Sequence, residues 1–311
     1  MPRPPATVPL PYLLYRTTPR DRWIAAMTAE HRALTANHIH ALAFGTLRAA
    51  NRRLAELTAL GVLDRTRART GLHTVGAYLY TLAPAGALLV GAISGLSVKE
   101  LRYDRAVLLR QAARPDLPHT LGCNTLMVSL ATRSHSETGL RLTTWWSAVS
   151  CLRLWGDVIR PDAYAVTHSA DQDQAEGWFL EYDTGTESIT QLAGKIRAYT
   201  RYAEAYAGHR PVLIHLPTTS REHRLHEVIA ATYPRGCPVP IATATAPDLA
   251  AAVWRLVGAP DAQPRHQLGQ LPWALSALGY RLLPAQHSDP EIHTPAPTRD
   301  LAGAASGRWG P

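Results

Sequence analysis

The sequence predicts an α+β protein, an N-terminal winged helix-turn-helix followed by an α/β domain with a mixed sheet. Three observations carry this. Residues 21–60 contain three short stretches with apolar residues at three- and four-residue spacing, and a basic hairpin follows them. From Leu121 onward, strand-like runs alternate with helical ones. The charge is lopsided: residues 1–110 hold 15 Arg and Lys against 6 Asp and Glu, net +9, in a chain of net charge +8, so residues 111–311 sum to −1. A basic half beside a near-neutral half fits a nucleic-acid-binding module joined to something else.

A length of 311 residues leaves room for two domains with real cores. No apolar stretch approaches 18 residues, so no membrane partner is expected. The start, MPRPPATVPLPYLLYR, is broken by prolines and lacks the apolar centre of a signal peptide. A cytoplasmic location is therefore expected. Cys123, Cys151 and Cys237 form no CxxC pair, which argues against a disulfide framework and a thiolate zinc site.

Residues 1–19 read as a flexible N-terminus and 20–90 as the winged-helix domain. Asp21 is the expected N-cap of the first helix, Thr35 opens the second, and the third runs from Thr46 to a stop at Gly61. In that third helix Leu47, Ala50, Leu54 and Leu57 form the core stripe, leaving Arg48, Asn51, Arg52 and Arg53 as candidates to contact DNA. A strand, a turn bearing Arg65, Arg67 and Arg69, and a returning strand Tyr78–Leu82 make the wing, whose arginines suit phosphate contacts. The expected partner is double-stranded DNA. A helical domain of this size also suits dimerisation, so a homodimer stands beside it.

Residues 91–118 read as a helical linker ending at RPDLPH, and 119–258 as the α/β domain. Helices are expected through LGCNTLMVSLATR, from Glu187 to Ala207, through SREHRLHEVIAATY and through PDLAAAVWRLVG. Between them come strands LRLTTWWSAV, DVIRPDAYAVTH, GWFLEYD, PVLIHLP and PVPIATA. Residues 259–311 show no periodicity and read as a largely disordered tail.

The strand Trp178–Asp183 ends in two acids, Glu181 and Asp183, which period two puts on one face. Isolated carboxylates are costly inside a sheet unless paired or bound to a cation. Asp162, at the start of the preceding strand, supplies another acid, and such a gathering suits Mg²⁺. Thr184-Gly-Thr-Glu187 fits a capping box opening the next helix, where Glu187, Gln191 and Lys195 share a stripe at four-residue spacing. Gln191 and Lys195 are thus candidates to face the same pocket. Only two lysines occur, Lys99 and Lys195. Lys195 serves either to stabilise charge on a phosphate or to neutralise a structural acid pair.

The segments RRLAELTALGVLDR, YLYTLAPAGA, RPDAY, FLEYDTGTE and KIRAY resemble the replication-relaxation family of plasmids and mobile elements, over roughly residues 20–255. The resemblance implies a restriction-endonuclease-like core and a role in plasmid replication and DNA relaxation. It also relates the acids to the PD-(D/E)xK nuclease pattern: Asp162 matches the first acid and Glu181 the second. Asp183 stands where that pattern has lysine, Lys195 is the candidate for a displaced lysine, and the preceding helix offers only Asn124. An active site of this kind would use Mg²⁺ held by Asp162, Glu181 and Asp183, with Lys195 and Gln191 assisting, to hydrolyse a phosphodiester. Two functions follow: a DNA-nicking enzyme, or a non-catalytic DNA-binding regulator with a degenerate core. A small-molecule enzyme is weaker, because no phosphate-cradling glycine loop or nucleophile elbow occurs.

Overall fold

The computed structural model describes residues 8–70, 74–111, 113–133, 140–169, 174–260, 263–283 and 285. The chain divides into two units, residues up to Val128 and residues from Ser129. No helix among the described residues is long and apolar enough to cross a membrane.

In the first unit α1 (Leu10–Arg16) precedes α2 (Pro19–His31). The N-cap of α2 is Thr18, not Asp21: the Thr18 N–H donates to Asp21 Oδ2 at 2.7 Å, making a reciprocal capping box. Proline at N1 fixes the helix start. A two-residue strand β1 (Leu34–Thr35) leads into α3 (Ala36–Ala43), capped by Thr35, and α4 (Leu47–Ala59), capped by Thr46. Ala50, Leu54 and Leu57 are buried on α4, whereas Leu47 is exposed in its first turn. Gly61, at φ 70°, supplies the left-handed residue that ends this segment. β2 (Leu63–Thr70) and β3 (Thr74–Leu82) pair antiparallel, and β1 joins the far edge, giving the order β1-β3-β2. Arg65 and Arg67 therefore lie in a strand rather than in the turn, because the ladder from Leu63 to Arg67 is unbroken. The Arg69 side chain lies outside the described residues. α5 (Pro84–Ser94) and α6 (Arg105–Gln111) follow, and α7 (Leu117–Arg133) runs across the division.

The second unit is built on a six-stranded mixed sheet, in the order β4-β5-β6-β7-β8-β9. β4 (Leu140–Ser147) leads through a short α8 (Ala148–Trp155) to β5 (Ala163–Ser169) and β6 (Gln174–Tyr182), three antiparallel neighbours. The expected single helix 187–207 is two, α9 (Ile189–Gly194) and α10 (Ile196–Ala205), joined at Lys195. Glycine at 194 has weak helix propensity, which suits a break there. The helices carry the chain to β7 (Val212–His215), parallel to β6. α11 (Thr219–Thr232) and β8 (Ile241–Ala244), parallel to β7, follow.

PDLAAAVWRLVG is not a helix. Its backbone finds sheet partners instead: β9 (Arg255–Leu256) pairs with β8, and Trp254 exchanges hydrogen bonds with His266. The buried Trp254 indole donates to the Leu249 carbonyl at 2.9 Å. Beyond Gly258, where the composition suggests disorder, residues 263–283 include α12 (Leu271–Ala277), with Leu268, Leu271 and Leu275 buried. Arg265 anchors this segment on the buried Glu222 of α11, 2.5 Å away, while Thr243 of β8 donates to the same carboxylate. Residues 286–311 lie outside the described residues.

Candidate functional site

Two groups of predicted residues are brought together, one in each unit. In the second, β6 is paired on both sides and buried on both faces, with Trp178, Phe179, Leu180 and Glu181 all nearly inaccessible. Phe179 packs among Trp155, Tyr164, Tyr199 and Tyr202 at centroid distances of 5.1 to 5.6 Å. This aromatic layer removes water beside Glu181. Its carboxylate accepts from Lys195 Nζ at 2.9 Å and from the Tyr199 hydroxyl at 2.5 Å, one donor on each oxygen. Asp162 sits where β5 begins, its Oδ2 accepting from the Tyr182 N–H at 2.8 Å.

The electrostatics follow from that packing. Burial, then the nearby Asp162 charge, pushes the Glu181 carboxyl above the usual range, while Lys195 and Tyr199 pull it back. Burial opposes the charge on Lys195, but Glu181, Asp162 and Glu187 together hold it more firmly protonated than usual. The two directions pull against each other. We take the pair as ionised, because both Glu181 oxygens face donors. The Tyr199 hydroxyl is raised by burial and by Glu181, so it stays a proton donor.

Asp162, Glu181 and Lys195 thus converge, but Asp183 and Gln191 do not join them. Asp183 is held by the Arg221 guanidinium through both oxygens and accepts from the Gly185 N–H at 2.9 Å. Gly185, at φ 84°, makes the turn possible. Gln191 belongs to the true capping box of α9, its amide oxygen accepting from the Ser188 N–H at 3.0 Å. The Thr184–Glu187 box does not form: Thr184 bonds Thr186, and Glu187 reaches Lys195 at 3.3 Å. Asn124 donates to the Ala33 carbonyl in the first unit. Tyr199 was missed as a site residue, although its position four after Lys195 on a helical pattern signals a shared face. Arg221 carries no such signal, since it is distant in sequence from Asp183.

This donor set, as folded, fits an ammonium rather than a divalent ion. Both Glu181 oxygens are engaged by protein donors, Asp183 has its own guanidinium, and among the described residues no three His, Cys, Asp or Glu assemble to hold a metal.

In the first unit, Arg48, Asn51 and Arg52 are exposed on α4. Arg53 is not: its guanidinium holds the fully buried Asp21 through two hydrogen bonds, at 2.9 and 2.7 Å, and also pairs with Glu56. It is a brace between α2 and α4. Arg65 and Arg67, two apart on β2, both lie over the Tyr78 ring at 4.6 Å, and Arg67 also donates to its hydroxyl at 2.8 Å.

The sequence model of the replication-relaxation family matches residues 26–213, more than half of the chain. The protein belongs to the replication-relaxation family. The matched region runs from within α2 to within β7, so the replication-relaxation segment includes both the α4–hairpin surface and the Asp162–Glu181–Lys195 cluster. No curated protein and no solved structure matches the chain.

Proposed function

We propose that this replication-relaxation protein is a DNA-binding factor of plasmid or mobile-element replication, gripping duplex DNA through a winged helix-turn-helix in its first unit. The observation that carries the reading is the combined surface of α4 and the β2–β3 hairpin: Arg48, Asn51 and Arg52 are exposed on one helix, and Arg65 and Arg67 are exposed on the strand that follows. The order α2-β1-α3-α4-β2-β3 supports the same reading, since a capped third helix with outward Arg and Asn is suited to the major groove and the basic strand to phosphates. Replacing Arg48 and Arg52 together by Ala is expected to weaken duplex binding about tenfold or more and to flatten its salt dependence by about one ion per lost phosphate contact. Fluorescence anisotropy across a salt series checks this; binding identical to the parent would overturn the assignment.

A second reading, metal-dependent nicking by a restriction-endonuclease-like core, is favoured by the convergence of Asp162, Glu181 and Lys195 and by the β4-β5-β6 meander with its crossover to a parallel β7. It requires Lys195 to yield its place beside Glu181 to an ion. The non-catalytic reading requires no rearrangement, so it is the one adopted here.

A further inference from the structure

Between the start of α2 and the side of α4 lies a cavity of about 290 Å³ lined by Thr18, Arg20, Phe44, Arg52, Arg53 and Glu56. Its charges are unequal in standing. Arg53 and Glu56 neutralise each other, and Arg53 is further held by Asp21. That leaves Arg20 and Arg52, neither of which has an acidic partner among the described residues.

Arg20 is the informative one. Its guanidinium lies over the Phe44 ring at 4.4 Å, which fixes the plane, and its Nε is enclosed without a hydrogen-bond acceptor. Enclosed as it is, that Nε is out of a ligand's reach, so an anion in the cavity meets the terminal nitrogens of the guanidinium. Its place also opposes the fold's own electrostatics. Arg20 stands in the first turn of α2, where the helix dipole disfavours a cation, and Asp21, which would offset it, is already committed to Arg53. A bound anion offsets the dipole and the two uncompensated cations together. A planar guanidinium fork held by stacking suits the tetrahedral oxygens of a phosphate.

We propose that this cavity seats one backbone phosphate of bound duplex DNA, clamped between Arg20 of α2 and Arg52 of α4. The proposal rests on the reading of the first unit as DNA-binding. It adds a residue outside the α4–hairpin surface and gives Arg53, whose charge is met by Asp21 and Glu56, the part of a brace between the two helices.

The test uses the full chain and a fluorescent duplex, titrated across a salt series, with Arg20→Gln, Arg20→Lys and the parent compared after thermal unfolding confirms that each is folded. Arg20→Gln is expected to lower the slope of log K against log salt by about one and to weaken binding several-fold. Arg20→Lys, which keeps the charge and loses the fork, is expected to keep the slope and still weaken binding. A parent that binds DNA with a steep slope that neither variant alters would overturn the clamp and leave the DNA-binding reading intact. Loss of affinity with the slope unchanged in Arg20→Gln would also overturn it, by marking a purely structural arginine. A parent that binds no duplex at any salt would overturn both. Should Arg20→Gln fail to fold, Arg20→Lys and Phe44→Leu carry the test: unchanged affinity in both would overturn the clamp.

Discussion

Asp183 lies two residues from Glu181 and meets a different cation. Glu181 faces Lys195 and Tyr199, whereas Asp183 is gripped by Arg221, so two acids that alternate onto one strand face serve separate partners. Removing one member of a buried pair strands the other. Asp183→Ala is therefore expected to destabilise the chain by about 3 kcal/mol, read as a shift in the urea midpoint, whereas a metal ligand would be lost at little cost to stability. Glu176 makes the opposite kind of residue-scale statement. It lies half-buried at the edge of an apolar cavity with Trp178 and Leu213, its Oε2 lacks a hydrogen-bond partner, and burial pushes its carboxyl up from 4.5 to about 7 against the pull of Arg210. Between those pH values the folded chain retains a proton that the unfolded chain has lost, so this group's contribution to stability falls as pH rises from about 4.5 to 7 and is level beyond. Glu176→Gln removes that dependence. Its thermal midpoint should gain on the parent's across this window, and a constant difference would count against the assignment.

At the scale of elements, periodicity succeeded where apolar residues faced one side and failed where sheet pairing competed. The stripe Ala50, Leu54 and Leu57 locates α4 because nothing else contests those backbone groups. Residues 247–258 look helical by composition, yet the open edge of β8 and the strand partner at His266 take their hydrogen bonds. The segment after them has no amphipathic repeat to read. It is ordered by a long-range ion pair, Arg265 to the fully buried Glu222, and by a few leucines. Arg265→Ala is expected to cost about 3 kcal/mol, because it leaves Glu222 buried beside only a hydroxyl donor, and to open residues 263–270 to limited proteolysis. An unchanged urea midpoint would mean that the segment contributes nothing to the fold.

For the whole molecule, the division into two units follows the charge asymmetry of the sequence, a basic first unit and a near-neutral second. If the Glu181 cluster is structural, supercoiled plasmid incubated with the protein and Mg²⁺ or Mn²⁺ stays closed. Nicking that vanishes in both Asp162→Ala and Glu181→Ala would establish the enzyme instead. Much was legible in the sequence alone: the α+β class, the three helices and basic hairpin, the family, and the positions of Asp162 and Glu181 at strand ends. These depend on local periodicity, local charge and short motifs, which are written in consecutive residues. The partners of the charges were decided only by the tertiary structure. Arg53 pairs with Asp21, Asp183 pairs with Arg221, and Gln191 caps its own helix. An ion pair between residues far apart in the chain leaves no spacing to read, and burial, which decides whether a carboxylate needs a cation, is a property of the packed sheet.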